Sequence, residues 1–370
     1  MRISTHRPSI DKLYRKDRPK KFNLLGHAAA FGMSVASTVQ EGIHYARLAV
    51  DVLLDERPFP MQDEIFRKDI LRQAISKHRR TYVSNPAPPL GEASPMRALP
   101  KAELKKPLMM VPGWDMAHDR YLTLTEKLTE GGSNGGRTVY LRDGTFYHDR
   151  DCREPLPERE VPHDTKVFVA VFKELGESPE TSAPQLAANM RAMERVTGEK
   201  QPDIFAYSQG GLATRKYLDD SGDEVGKLLM LGTPNMGAGL AGLSTFLYDA
   251  QDKGYAVDFL MRQSHLDDDD EKAMRFMSAG NSQLRDMNSR WERQMDQTDG
   301  FLVVGSAQDQ TLHWGWPPRK SGDTMVEVEN LAPEGVEREL VEDGPWVNHR
   351  DLPYSAQVYE HMRAHFGWSN

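Results

Sequence analysis

Cysteine is nearly missing from this chain. Of 370 residues only Cys152 is one, so no intrachain disulfide can form. That fits a reducing compartment without requiring one, because a domain of this length can bury a core without covalent staples. A cytoplasmic location is the reading, with a secreted or membrane-peripheral one as the alternative. Positive charge is also in deficit. Lys and Arg number 47 against 55 Asp and Glu, a net charge of −8, which argues against a nucleic-acid partner. The stretch that invites a signal or membrane-spanning reading is the uncharged run 22–40. It holds Asn23, His27, Gln40, Ser34, Ser37 and Thr38. Its apolar residues Leu24, Ala28, Phe31, Val35 and Val39, continued by Ala46, Val50 and Leu53, recur mostly every three or four positions. That spacing predicts an amphipathic helix to about Leu54 rather than a cleaved or spanning segment.

What is present is unevenly laid out. Residues 1–22 carry a charge of +6 and leave −14 on the rest. They read as a basic tail, solvated or touching acidic lipid or a partner. Residues 23–106 read as a helical extension broken at Arg57-Pro58-Phe59-Pro60, then a linker rich in proline (Pro86, Pro88, Pro89, Pro95, Pro100). From 107 to 370 the texture changes to short apolar runs alternating with helical stretches. The runs are Leu108–Val111, Thr138–Leu141, Lys166–Phe172, Asp203–Tyr207, Lys227–Leu231 and Phe301–Val304. Continuous apolar runs are expected of parallel strands covered on both faces, and the alternation predicts an α/β domain with a doubly wound, mostly parallel sheet. One predicted helix covers Pro184–Val196, with Pro184 at its first position. Residues 235–300 hold helical patterns only and read as a cap inserted on this frame, with Asp267–Asp270 as a solvated helix start.

The chemistry gathers at Ala206-Tyr207-Ser208-Gln209-Gly210-Gly211. An apolar strand leads in and a helical stretch follows, the strand–turn–helix setting of a nucleophile elbow. The turn is tight, so the positions two before and two after the serine must be small. Gly131-Gly132-Ser133-Asn134-Gly135 fits the same letters, but no strand precedes it and no helix follows. It reads as a flexible Gly/Ser loop.

These residues carry a resemblance. Ala206–Gly211 resembles the elbow of bacterial lipases, with Ala in the first small position. Leu229-Met230-Leu231-Gly232-Thr233-Pro234-Asn235-Met236-Gly237 resembles the Gly-Thr-Pro run after the elbow in many lipases. Leu108–Trp114 resembles their oxyanion strand and turn, with Pro112 where a His is common. Residues 277–288 are similar to a segment of the wider group of lecithin–cholesterol acyltransferase-like and PGAP-type lipases. The resemblance covers about 108–365 and implies the α/β-hydrolase fold and a serine ester hydrolase acting through an acyl-enzyme on Ser208.

Such an enzyme needs a base, an acid and an oxyanion hole, with the acid and then the base following the serine along the chain. His349, in a loop before the last helix, is the base by position. His361 and His365 lie on that helix and read as surface or packing residues, and His313 falls in a Trp-rich loop. For the acid, Gly322-Asp323-Thr324-Met325-Val326 resembles the acid-bearing run of the acyltransferase-like group. Asp309, close behind the strand Phe301–Val304, is the alternative. The expected oxyanion donors are the backbone N–H groups of Gln209 and Trp114, with Asp115 a substitute for the second. No metal or cofactor is expected, since His148, Asp149, Asp151 and Cys152 are adjacent but not at zinc-ligand spacing. The expected partner is a hydrophobic ester, lipid or long-chain acyl, with peripheral contact to a lipid surface. An acyltransferase or thioesterase on the same fold is the first rival, and a non-catalytic hydrolase-like binding module the second.

Overall fold

A computed structural model of the chain describes residues 98–114, 121–173, 176–252, 270–307, 309–312, 319–323, 325–341, 349 and 352–369. The basic tail and the helical extension up to residue 97, together with Asp115 and His313, lie outside the described residues.

The chain runs from β1 (Leu108–Val111) through α1 (Leu122–Thr129) to β2 (Thr138–Arg142) and a return strand β3 (Thr145–Tyr147). It continues through β4 (Val167–Ala170), α2 (Pro179–Thr197), β5 (Asp203–Tyr207), α3 (Gln209–Ser221) and β6 (Val225–Leu231). Next come α4 (Gly239–Asp252), α5 (Glu271–Met277), α6 (Ser282–Asn288) and α7 (Trp291–Met295). The last elements are β7 (Thr298–Ser306), the hairpin β8 (Asp309–Leu312) and β9 (Arg319–Gly322), β10 (Glu339–Val341) and α8 (Ala356–Phe366).

The large sheet has the order β10-β7-β6-β5-β1-β4-β2-β3, and every pairing in it is parallel except β2 with β3. Successive residues alternate between two buried layers. Met109, Phe168, Ile204, Leu228 and Met230 face α2 and α3, packing on Leu186, Met190, Met193 and Leu218. Leu108, Met110, Val169, Phe205 and Leu229 face α1 and α8, packing on Leu124, Leu128, Val358 and Met362. This is a doubly wound α/β fold with an open, mostly parallel sheet. A third cluster lies apart, joining Leu212 of α3 to Ala241 and Tyr248 of α4, Met274 and Phe276 of α5, and Leu284 and Met287 of α6.

Two local expectations are corrected. Helix α2 begins at Pro179 and carries Pro184 inside it. Pro179 meets the first-turn requirement equally well, so the helix extends one turn earlier and only the bond from position 184 is lost. The Gly131–Gly135 stretch is a tight, kinked turn held by side-chain bonds, with positive φ at Gly131 (64°), Gly132 (86°) and Asn134 (55°). The Asn134 side chain accepts from Leu104 N at 2.9 Å and donates to Ala102 O at 2.7 Å and Leu128 O at 2.6 Å. The motif that imitates an elbow instead docks residues 102–104 onto the domain.

Two titratable groups meet Lys227 at the start of β6. Asp203 accepts from Lys227 N at 2.8 Å, and burial pushes its carboxyl up to about 6. Lys227 Nζ donates to His365 O at 2.6 Å, and burial, then the Lys227 charge, holds the His365 imidazole down to about 4. The linkage has opposite signs. His365 contributes stability that is intact above about pH 6.5 and is lost as pH falls toward 4. Asp203, with a raised folded pKa, contributes stability that is present below about pH 4 and lost as pH rises through 6. Relative to the parent, His365→Gln is therefore expected to gain stability at pH 5 over pH 7, and Asp203→Asn at pH 7 over pH 4.5, each by about 1–3 kcal/mol. Urea midpoints across this range check both signs, and parallel pH profiles for parent and variants contradict them.

Candidate active site

The sheet places the site before any side chain is considered. From β1 the chain goes to β2 and β4 on one side and to β5 on the other, so a crevice opens at the carboxyl ends of β1 and β5. Gly113 and Trp114 follow β1, and Ser208 follows β5.

Ser208 has φ 54° and ψ −130°, a conformation that costs a non-glycine residue about 1–3 kcal/mol. It is held from both sides: its N–H donates to Leu231 O at 2.7 Å, and its carbonyl accepts from Gly211 N at 3.0 Å as α3 begins. The turn tolerates no bulk. A Cβ at Gly210 would stand 2.5 Å from Pro112 O and 2.6 Å from Val111 O. One at Gly113 would stand 2.6 Å from Ser208 Cβ and 3.2 Å from its Oγ. Ala206 is wholly buried between the sheet and its helices.

His349 stands against the serine. Its Nε2 lies 2.8 Å from Ser208 Oγ, and its Nδ1 lies 2.7 Å from Asp323 Oδ2. With the ring proton on Nδ1, Nε2 keeps a lone pair for the serine hydroxyl. The residue is fixed by its backbone too. His349 N donates to Asp323 O at 2.6 Å, and the Tyr207 hydroxyl donates to His349 O. The Tyr207 and His349 rings are 5.1 Å apart. Asp323 is wholly buried, and its Oδ1 accepts from Met325 N at 3.0 Å and Val326 N at 2.8 Å. One oxygen is thus locked by its own turn and the other is turned to the imidazole. The backbone of Asp309 lies in β8, paired with Gly322 across the hairpin.

Sequence reasoning gave no role to three residues, Tyr207, Glu327 and Arg215, and misread a fourth, Asp270, as solvated. Tyr207 anchors the His349 carbonyl. Glu327, wholly buried, accepts from Gly239 N at 3.1 and 3.2 Å and from Asn330 Nδ2 at 2.9 Å. It joins the first turn of α4 to the segment that carries Asp323. Asp270, expected to be solvated, is buried and takes the indole N–H of Trp114 at 2.8 Å. Arg215 of α3 is fully buried, and burial pulls its guanidinium down to about 9, still charged at neutral pH. It donates to Gln294 Oε1 at 2.9 Å, Asn288 Oδ1 at 2.8 Å and Asn235 Oδ1 at 3.1 Å, and lies 4.4 Å over the Trp291 ring. Only Glu327 had a visible cue, four residues past Asp323 and set between the apolar residues Val326 and Val328. The others depend on contacts between distant segments.

Arg215 ties the elbow helix to the Thr233–Gly237 loop, α6 and α7. Arg215→Met is expected to leave the buried amide oxygens of Asn235 and Gln294 and the half-buried one of Asn288 without this donor, and to cost about 3–5 kcal/mol. Arg215→Lys should restore little, since an ammonium cannot reproduce the fork or the stacking. Denaturant unfolding measures this, and a loss under about 1 kcal/mol in Arg215→Met contradicts it.

Among the described residues no group of three or more His, Cys, Asp or Glu could hold a metal ion. No helix of the described residues is long and apolar enough to cross a membrane.

No family model matches the chain, and no curated protein matches it. Among solved structures it is similar to the mature form of the lipase BlEst2 of Bacillus licheniformis, at 14% identity and a TM-score of 0.46, over 72% of this chain and 94% of that one. It is similar to the lin2722 gene product of Listeria innocua at 12% identity and a TM-score of 0.40, over 70% of this chain and 93% of that one. It is also similar to the phospholipase PlaB of Legionella pneumophila, at 11% identity and a TM-score of 0.40 over 63% of this chain; it spans 45% of that protein. Likenesses this distant assign no activity.

Proposed function

We propose that this protein is a serine hydrolase of carboxylic esters, acting through an acyl-enzyme on Ser208, with lipid or long-chain acyl esters as its substrates. The observation that carries the reading is the continuous hydrogen-bonded path from Ser208 Oγ through the His349 ring to Asp323 Oδ2, at 2.8 and 2.7 Å, ending on a serine in elbow conformation.

In this reading His349 Nε2 takes the hydroxyl proton as Ser208 Oγ attacks the ester carbonyl. Asp323 holds the Nδ1 proton and stabilises the imidazolium that forms. The carbonyl oxygen becomes an anion and is met by the backbone N–H groups of Gln209 and Trp114. Collapse expels the alcohol, which takes the proton from Nε2. Water, deprotonated by the same nitrogen, then attacks the acyl-enzyme and releases the acid. The apolar cluster around Trp114, Leu212, Met274 and Phe276 beside this site favours a long acyl chain. So does the likeness of residues 229–237 to the run after the elbow in many lipases, and of residues 277–288 to a segment of the lecithin–cholesterol acyltransferase-like and PGAP-type group. The helices between β6 and β7 serve as its cap.

A series of p-nitrophenyl esters tests the substrate class. Turnover is expected to rise from acetate to octanoate and beyond. A preference for acetate would defeat the long-chain part and leave the esterase, and transfer of the acyl group to an alcohol in preference to water would make the enzyme an acyltransferase. The tight packing of Gly113 on Ser208 gives a second expectation. Gly113→Ala should push the oxyanion turn off the nucleophile and lower kcat by roughly 10²–10³, the cost of one lost oxyanion donor. Full activity in a folded Gly113→Ala variant would remove this turn from the reaction.

A further inference from the structure

The helical insertion meets the oxyanion side of the site through a polar contact as well as through packing. Trp114 Nε1 donates to Asp270 Oδ1 at 2.8 Å. Asp270 is the residue just before α5 and is 8% exposed. The Trp114 side chain also packs on the cluster that includes Leu212 of α3 and Met274, Phe276 and Met277 of α5. The side chain is therefore held twice, by its apolar surface against that cluster and by its N–H on the carboxylate that precedes α5. The backbone of the preceding residue, Gly113, is pressed on Ser208, where a Cβ would stand 2.6 Å from Ser208 Cβ. The peptide N–H of Trp114 lies between these two anchors.

Burying a carboxylate is costly unless it is hydrogen-bonded, and a carboxylate is a stronger acceptor for an N–H than a neutral group. Packing alone would call for an apolar residue at position 270, with no desolvation to offset. A strong, directional acceptor is what is needed to fix the rotation of an indole, and through it the main chain that bears it. We infer that Asp270 is a positioning residue for the oxyanion hole: by holding the Trp114 indole it sets the direction of the Trp114 backbone N–H toward the developing oxyanion. The inference rests on the esterase reading above. It makes the insertion part of the catalytic geometry as well as a cover.

The test uses the full chain with a p-nitrophenyl ester that the parent turns over. Asp270→Ala is expected to lower kcat by about 10- to 100-fold with KM within about twofold, because the lost interaction acts only in the transition state. Trp114→Phe, which keeps a ring and removes the donor, should lose a similar factor, and the double variant no more than the larger single loss. Asp270→Asn, whose side-chain carbonyl still accepts the indole N–H, should keep most of kcat. The midpoints of the pH–rate profile should not move, since His349 and Asp323 are untouched. The inference is overturned by a kcat within twofold of the parent in Asp270→Ala, by losses that multiply in the double variant, or by a rise in KM in place of the fall in kcat. It is equally overturned if Asp270→Asn loses activity together with thermal stability. Labelling of the parent by a fluorophosphonate separates the two readings. A parent that neither labels at Ser208 nor turns over ester removes the esterase itself. A parent and an Asp270→Ala variant that label and turn over alike remove only the role of Asp270.

Discussion

Ser208→Ala is expected to lower kcat by on the order of 10⁵–10⁶ and to abolish labelling by a fluorophosphonate. The size follows from the arrangement. Oγ is the atom 2.8 Å from His349 Nε2, and without it the imidazole has no proton to take and no nucleophile to activate. The remaining rate, roughly 10³–10⁴ over water, would come from the oxyanion donors and substrate binding. Stability should change little or rise, because Ser208 sits at φ 54° and the variant removes one buried polar atom without relieving or adding backbone strain. A folded Ser208→Ala protein that still labels would place the nucleophile elsewhere. The Gly131–Gly135 turn is then not the substitute, since its Asn134 is bonded to residues 102, 104 and 128.

Asp323→Asn is expected to cost about 10⁴ in kcat, with the fold intact. The asparagine can still accept from Met325 N and Val326 N through one atom, so the turn is preserved. Its other atom is then an NH₂ facing His349 Nδ1. A donor there favours the tautomer with the proton on Nε2, which cannot take the serine proton, and it supplies no charge to stabilise an imidazolium. Asp309→Asn should stay within a few-fold of the parent. A pH–rate profile on both variants reads the difference directly, and a larger loss in Asp309→Asn than in Asp323→Asn would exchange their roles.

These two predictions bear on residues that differ in how far the sequence exposes them. The strands of the sheet centre are legible because parallel strands covered on both faces must be apolar throughout, and β1 and β5 begin and end where their apolar runs do. The short strands β3 and β10 and the hairpin β8–β9 are not legible. Their residues are mixed, as in Arg319–Gly322, and they form strands by pairing with a neighbour already in place. Ser208 is legible through its local frame of strand, tight turn and helix, which sequence neighbours alone create. His349 is legible only by its place before the last helix. Neither Asp309 nor Asp323 has a local feature that settles the choice, since both stand in turn-forming surroundings at the ends of short strands.

By itself, then, the sequence determined a doubly wound parallel sheet and an elbow serine, because apolar continuity and turn sterics act between residues close along the chain. Tertiary structure decided the rest. It chose which carboxylate faces His349 Nδ1, by setting the turn after β9 so that both the side chain and the backbone carbonyl of Asp323 meet His349. It buried Asp270 against Trp114, Glu327 against α4 and Arg215 among three amides and a tryptophan. Each of these charges looks solvent-bound in sequence, because its partners lie tens to hundreds of positions away and only the closed fold brings their hydrogen-bonding groups within reach.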